Sequence, residues 1–210
     1  MTKKKSAIML TACAFAALMS IAQEAAAPDA KTMQLGQAAP AFTLKDIHDN
    51  SYILETFKGS FVVLEWINYD CPFVKKHYET GNVPALQKKL ADEGVVWFSI
   101  CSSAPGKQGN FTKEQWMERM AAVKAAPKAV LLDSDGSVGR RYGAKNTPHL
   151  FVINPDGTVI YAGAIDDQPG VDRTIIDQAV NYVTQALTEA QAGKPVSVPA
   201  TTPYGCSVKY

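Results

Sequence analysis

One cysteine in this sequence has a position that favours thiol chemistry. Cys71 comes shortly after the apolar run FVVLEWI and directly before Pro72. Proline fits the first turn of a helix, where its missing N–H costs nothing, so Cys71 is expected at a helix N-terminus. The helix dipole and unpaired N–H groups stabilise a thiolate there, and Lys75 and Lys76 add positive potential that solvent would weaken. Cys71 is therefore the predicted nucleophile, with a buried, inert cysteine as the alternative.

The segments around Cys71 predict an α/β fold. Apolar or alternating runs predict strands at 41–44, 51–54, 61–67, 94–100, 129–133, 148–154 and 159–165. Helices are expected at 72–90 with a break near Pro84, at 112–125, at 136–144 and at 171–193. Strands that alternate with helices indicate a sheet covered on both faces. The last two strands form a hairpin around a Pro-Asp-Gly turn, so the sheet is expected to be mixed.

Composition limits the class of protein. The chain has 210 residues, of which 47% are hydrophobic and 20% are charged, and this suits one globular domain. Its formal net charge is +1 and the sequence has no basic stripe, which argues against nucleic-acid binding. Three histidines and four cysteines are too few and too scattered for a zinc finger. No cofactor and no resident metal are predicted.

Residues 1–22 have the pattern of a secretory signal peptide. A basic start precedes an apolar stretch that ends in small residues, and cleavage is expected after Ala22. The alternative interprets LTAC as a lipobox with Cys13 acylated, but the apolar run continues past that cysteine. Export to the periplasm is expected, where disulfides can persist. The rest of the chain is divided into a flexible leader at 23–34, a folded domain at 35–193 and a Pro-rich tail at 194–210.

Several segments resemble a known family. GQAAPAFTL, FKGSFVVLEW, DCP, NTPHLFVINPDGTVIYAG and the terminal YGCSVKY are similar to the redoxin (AhpC/TSA-like) branch of the thioredoxin superfamily. This branch groups peroxiredoxin-like proteins with exported thiol–disulfide oxidoreductases of the cytochrome-c-maturation type. The resemblance covers residues 35–210 and implies a thioredoxin-like fold, with a mixed central sheet between helices.

The resemblance implies roles for four residues. Cys71 would be the nucleophile, and Pro148 would be a cis-proline that faces it and shapes a groove for a peptide substrate, unless it is a trans proline that starts a strand. Glu65 corresponds to a buried acid that shuttles protons, with a lysine-paired or solvent-reaching carboxylate as the alternative. His77 corresponds to a glutamate near the active cysteines and is a candidate base for the thiol, with a solvated surface histidine as the alternative.

The sequence departs from the family at two places. The family motif Cys-x-x-Cys is CPFV here, and Val74 cannot resolve a mixed disulfide. Peroxidases of the branch carry Pro and Thr or Ser at the positions of Leu64 and Asn68, so the hydroxyl that activates peroxide is missing. An arginine from another element could still assist a peroxidase, and the candidates are Arg140, Arg141 and Arg173.

The thiol partner of Cys71 therefore has to come from another segment. Signal-peptide removal leaves Cys71, Cys101 and Cys206, an odd number. Cys101 ends a predicted strand and is interpreted as a small buried side chain. Cys206 lies in the tail between aromatic residues that could anchor it, and roughly 17 residues at up to ~3.3 Å each can cross a domain face. Cys206 is the predicted resolving cysteine, with an idle thiol on a disordered end as the alternative.

These observations favour an exported thiol–disulfide oxidoreductase that uses Cys71 as a single N-terminal active-site cysteine. Its expected partners are protein disulfides or protein thiols. One alternative is a peroxiredoxin-like thiol peroxidase with antioxidant activity, which would act on peroxide with the same cysteine. A second is a copper-binding chaperone in which Cys71, His77 and Cys206 supply soft ligands, with His149 as its distal histidine. A third is a catalytically silent adaptor on the same fold.

Overall fold

A computed structural model describes Thr2 and residues 32–210. The strands are β1 Thr43–Asp46, β2 Ser51–Ile53, β3 Val62–Trp66, β4 Val96–Cys101, β5 Ala129–Leu132, β6 Asn146–Thr147, β7 His149–Ile153, β8 Val159–Gly163 and β9 Cys206–Ser207. The helices are α1 Pro72–Glu79, α2 Asn82–Asp92, α3 Lys113–Val123, α4 Ser137–Tyr142 and α5 Tyr182–Gln191, with 3-10 turns at Leu54–Phe57 and Ile176–Gln178. Apart from Thr2, the predicted signal peptide and the lipobox alternative at Cys13 lie outside the described residues, as does most of the leader.

Seven strands form one mixed sheet in the order β2-β1-β5-β4-β3-β7-β8. The central strands β3, β4 and β5 are parallel, and the outer strands join them antiparallel. β3 is buried along its whole length because β4 and β7 flank it and helices cover both faces. β7 and β8 form the expected hairpin, which turns through Gly157 at φ +85°. The predicted mixed sheet is confirmed.

Each face of the sheet has its own apolar layer. Side chains of α1, α2, α3 and α5 pack on one face with Val63 of β3. Tyr142 of α4 packs on the other face with Leu64 and Trp66. Successive residues of β3 therefore contribute to opposite layers, as the two-residue period of a strand requires. Within the part of the chain that the structure describes, no helix is both long and apolar enough to cross a membrane.

The last helix is shorter than the sequence predicts. α5 begins at Tyr182 rather than near residue 171, because Asn181 caps it by accepting a hydrogen bond from the Thr184 backbone N–H at 2.9 Å. The preceding residues are irregular apart from a 3-10 turn, and Val180, which lies within the predicted helix, is exposed. The C-terminal part of the predicted helix is confirmed, and its residue Leu187 lies in the core.

The Pro-rich tail is bound along the domain. The Thr201 N–H donates to the Ala162 carbonyl at 3.1 Å, and Thr201 Oγ1 accepts from the Ala164 N–H at 2.9 Å. Further on, β9 pairs antiparallel with β6, and Tyr210 Oη donates to the Ala144 carbonyl at 2.8 Å. Aromatic anchoring of the tail is confirmed, and the alternative of a disordered end is wrong.

Candidate redox site

Cys71 is the N-cap residue of α1, as the sequence predicts. Its backbone is extended, with φ −76° and ψ 125°, and Pro72 occupies the first turn. The side chain is fully buried, and its Sγ donates to the Thr147 carbonyl at 3.0 Å. Val74, the third residue of the helix, occupies the position that carries a second cysteine in the family.

The tail brings Cys206 beside Cys71. In the short ladder of β6 and β9, Cys206 lies opposite Thr147, whose carbonyl contacts the Cys71 sulfur. Thr147 is joined to Pro148 by a cis peptide bond, as the resemblance implied. Gly205 allows β9 to approach β6 closely, because a Cβ at that position would stand 2.2 Å from the Thr147 carbonyl oxygen. The described cysteines, Cys101 included, are free thiols.

The two neighbouring thiols change each other's acidity. Burial raises the pKa of Cys71, but hydrogen bonds from the Cys206 thiol and from backbone N–H groups outweigh burial, so the pKa lies below its ordinary value. A Cys71 thiolate gives up its donation to the Thr147 carbonyl but keeps these donors. Burial and the neighbouring Cys71 sulfur raise the pKa of Cys206 to about 11. The first proton to leave the pair therefore comes from Cys71.

Glu65 is a buried carboxyl in β3, on the sheet face that also carries Cys71. Three donors hold its Oε2: Tyr78 Oη at 2.7 Å, Trp97 Nε1 at 2.9 Å and Ser99 Oγ at 3.2 Å. Its Oε1 is buried with no hydrogen-bond partner among the described residues. Burial raises the pKa of Glu65 to about 7, although the three donors oppose that rise. The alternatives of a lysine partner or a solvated carboxylate are wrong, and the proton-shuttle role stays a prediction.

His77 is buried, so the alternative of a solvated surface histidine is wrong. Asn82 Nδ2 donates to His77 Nδ1 at 3.0 Å, and His77 Nε2 lies 3.1 Å from Tyr204 Oη in the tail. Burial lowers the pKa of the ring to about 4, with partial opposition from Asp166. Both ring nitrogens are directed to these partners rather than to Cys71, so the predicted base role has no supporting contact among the described residues.

Cys101 and His149 each have their own hydrogen-bond and packing partners. Cys101 Sγ donates to the Gly109 carbonyl at 3.3 Å, and burial raises the pKa of this thiol, as expected of a small buried side chain. His149 Nδ1 accepts from the Lys145 N–H at 3.3 Å, and its ring packs against Phe151. Among residues 32–210, no three His, Cys, Asp or Glu side chains come together as a metal-ligand group. The copper-chaperone alternative therefore gains no support.

The residues considered for peroxide chemistry supply no peroxidase hydroxyl, and the candidate arginines have other partners. Leu64 and Asn68, at the positions of the peroxidase Pro and hydroxyl, are both buried. Each candidate arginine has another partner: Arg140 stacks on the Tyr210 ring, Arg141 donates to the Ala41 carbonyl and Arg173 pairs with Glu79. These contacts give the peroxidase alternative no activating group beside Cys71.

Comparison with known proteins assigns the family. A family model described as the AhpC/TSA family matches residues 35–162. The chain belongs to the AhpC/TSA family. The redoxin resemblance is thereby confirmed, and with it the prediction of an oxidoreductase at the level of the family.

One relative and two solved structures of other proteins are similar to this AhpC/TSA protein. The thiol-disulfide oxidoreductase ResA of Bacillus thuringiensis subsp. konkukian (strain 97-27) is 26% identical over 129 residues, which are 61% of this chain and 68% of the relative. An uncharacterized conserved protein from Geobacillus kaustophilus, 25% identical, matches with a TM-score of 0.71 over 84% of this chain and 92% of that one. The thioredoxin domain of a thiol-disulfide oxidoreductase from Bacteroides vulgatus, 21% identical, matches with a TM-score of 0.50 over 70% and 98%. The predicted thioredoxin-like fold is confirmed.

The sequence indicated aromatic anchors in the tail of this AhpC/TSA protein but not the buried side chains that bind Tyr204. Tyr204 and Asp166 contact His77, and Lys76, expected to be solvated, is fully buried next to them. The stretch PYGC carries a partial signal, because an aromatic residue and a glycine directly precede the cysteine. Asp166 carries none, because an acid in a polar loop looks solvated until the loop packs on α1.

Replacing Glu65 by glutamine should change how stability depends on pH. The pKa of Glu65 is raised from 4.5 to about 7 in the folded protein, so the folded state keeps a proton that the unfolded chain loses between these values. Stability should therefore fall as pH rises through this window, by up to about 3 kcal/mol from this group. Urea unfolding at pH 5 and pH 8 should show this fall in the wild type and a smaller one in Glu65→Gln.

The matched control is Glu118→Gln, because Glu118 is exposed on α3. This variant should keep the wild-type dependence of unfolding free energy on pH. If Glu65→Gln also keeps it, the raised pKa of Glu65 is contradicted.

Proposed function

We propose that this protein is a thiol–disulfide oxidoreductase whose redox pair is Cys71 and Cys206. The observation that carries the proposal is the register of β9, which sets Cys206 opposite Thr147 while the Cys71 sulfur contacts the Thr147 carbonyl. The opposed pKa changes of the two thiols support the proposed order in which they act. A nucleophile with a lowered pKa acts first, and a thiol that keeps its proton acts second.

The proposed reaction transfers two electrons. The Cys71 thiolate attacks one sulfur of a substrate disulfide, forms a mixed disulfide and releases the other substrate sulfur as a thiolate that takes up a proton. Cys206 then loses its proton and attacks Cys71 Sγ, which releases the second substrate sulfur and closes a Cys71–Cys206 disulfide. The substrate is reduced to two thiols and the protein is oxidised. An external dithiol reductant regenerates the pair, and the reverse sequence would oxidise a substrate dithiol.

Access to the nucleophile requires movement of the tail. Cys71 is fully buried while β9 lies on β6, so a substrate cannot reach the sulfur in this arrangement. The backbone edge of Asn146 and Thr147, beside Pro148, is the edge that β9 occupies. An extended substrate segment that pairs with this edge would have to replace β9. We therefore propose extended protein segments with a disulfide or thiol as the substrate class, and the signal-peptide pattern supports export to the periplasm.

Trapping tests the order of the two cysteines. Reduced Cys206→Ser protein, mixed with an excess of a peptide that contains one disulfide, should accumulate a mixed disulfide on Cys71, because the resolving thiol is missing. The wild type should release reduced peptide within the same time, and Cys71→Ser should form no adduct. Intact-mass spectrometry after acid quenching measures the three outcomes. Adduct release at the wild-type rate in Cys206→Ser would contradict the resolving role.

Gly205 supplies a second test, because it lies where a side chain would separate β9 from β6. An alanine Cβ would stand 2.2 Å from the Thr147 carbonyl oxygen, closer than atoms in contact allow. In Gly205→Ala the mixed disulfide on Cys71 should therefore persist several-fold longer than in the wild type, since Cys206 is displaced. The same acid-quench assay measures this lifetime.

Gly193→Ala is the matched control for this substitution. Gly193 also has a positive φ, +69°, but a Cβ there would meet nothing within 4 Å. Its mixed disulfide should be resolved at the wild-type rate. Equal lifetimes in Gly205→Ala and Gly193→Ala would show that the approach of β9 to β6 does not set the rate.

A further inference from the structure

A buried polar cluster joins α1, the segment after β8 and the tail. Lys76 and His77 lie on α1, and Asp166 follows β8; their side chains are 0%, 1% and 2% exposed. Removing such groups from water is costly unless each finds partners. The reaction proposed above uses none of the three side chains. Their burial therefore points to another task.

The hydrogen bonds of the cluster converge on a tail residue, Tyr204. Because the Asn82 amide donates to His77 Nδ1, the ring proton of the neutral imidazole lies on Nε2. His77 Nε2 lies 3.1 Å from Tyr204 Oη, which in turn donates to Asp166 Oδ1. The Tyr204 hydroxyl thus accepts from one buried side chain and donates to another.

Lys76 supports the same arrangement. Its Nζ donates to the Gln168 carbonyl at 2.6 Å and lies 3.9 Å from Asp166 Oδ2, so a buried cation balances the carboxylate that holds Tyr204. The Lys76 ammonium also lies 5.7 Å from the centre of the Tyr204 ring, and the Phe73 ring packs against that ring at 6.0 Å. The hydroxyl and the ring of Tyr204 are therefore both held by α1 and its partners.

We propose that Tyr204 is a positioning residue for Cys206, an inference that rests on the proposed function of the Cys71–Cys206 pair. Tyr204 precedes Cys206 by two residues, a span of about 7 Å at most, so the hold on Tyr204 limits how far Cys206 can move. Cys71 is the N-cap of α1, and His77 lies on the same helix. One rigid helix therefore carries the nucleophile and the contact that presents the second thiol to it.

The expected effect is on the effective concentration of Cys206 at Cys71. Tyr204→Phe keeps the ring contacts with Phe73 and Lys76 but removes the hydroxyl that joins His77 to Asp166. Loss of hydrogen bonds to buried polar and charged groups should loosen the tail and lower the equilibrium constant for the Cys71–Cys206 disulfide about tenfold. The hydrogen bonds described for the Tyr204 hydroxyl go to His77 and Asp166 and not to either reacting sulfur, so the intrinsic chemistry of Cys71 should stay the same.

The experiment is a titration against reduced and oxidised glutathione. The fraction of Cys71–Cys206 disulfide is measured by intact mass in the wild type, in Tyr204→Phe and in the control Tyr182→Phe, whose ring stacks on Tyr161 at the start of α5. Tyr182→Phe should keep the wild-type equilibrium constant. The same two substitutions are made in Cys206→Ser protein, where the glutathione adduct on Cys71 reports the chemistry of Cys71 alone.

The outcomes separate this inference from the function on which it rests. A tenfold loss in Tyr204→Phe, with an unchanged glutathione adduct in the Cys206→Ser background, supports the positioning role. A wild-type equilibrium constant in Tyr204→Phe, an equal change in both backgrounds, or loss of the folded state overturns it. If the wild type itself forms no Cys71–Cys206 disulfide at any glutathione ratio, the proposed function fails, and the positioning role fails with it.

Discussion

The chemistry of the site depends on where the short tail strand β9 lies. Two residue pairs fix that strand, Asn146 with Ser207 and Thr147 with Cys206. Thr147 connects the two thiols, because it faces Cys206 across the ladder and its carbonyl contacts the Cys71 sulfur. A shift of β9 by one residue would turn Cys206 to the opposite face, since side chains alternate along a strand. In the observed register the Cys206 thiol helps to lower the pKa of Cys71, and the Cys71 sulfur adds to the effect of burial in raising the pKa of Cys206.

Helix α1 contributes to the site through two physical effects. Its N-terminus stabilises a thiolate at Cys71 through backbone N–H groups, and its second turn carries Lys76 and His77 into the interior. Removal of one partner from a buried charged pair generally destabilises a protein by about 3–5 kcal/mol. The pairing of Lys76 with Asp166 offsets the cost of removing both charges from water. It also leaves a polar surface that binds the hydroxyl of Tyr204 in the tail. A tail held at this cluster places a resolving thiol without a Cys-x-x-Cys motif.

Short sequence patterns predicted the elements that depend on residues close together in the chain. The strands of the seven-stranded sheet and the helix start at Pro72 follow from short apolar runs and from proline geometry. The predicted start of α5 near residue 171 was wrong. Asn181 caps the helix, although the apolar pattern of the sequence begins before that residue. The contact of His77 with Tyr204 joins residues 127 positions apart, and the β6–β9 ladder has two residues on each strand, so neither leaves a periodic signal. Cys206 was predicted by elimination, and its register could be seen only in the folded chain.

Non-reducing peptide mapping of mildly oxidised protein tests most directly whether Cys71 and Cys206 form the redox pair. The reduced protein is treated with a limiting amount of a thiol oxidant, its remaining thiols are blocked, and the peptides are mapped without reduction. The geometry predicts one dominant linked species, the peptide that contains Cys71 joined to the peptide that contains Cys206, with Cys101 blocked as a free thiol. Cys71 linked to Cys101, or Cys71 found only as an adduct with a small thiol, would contradict it.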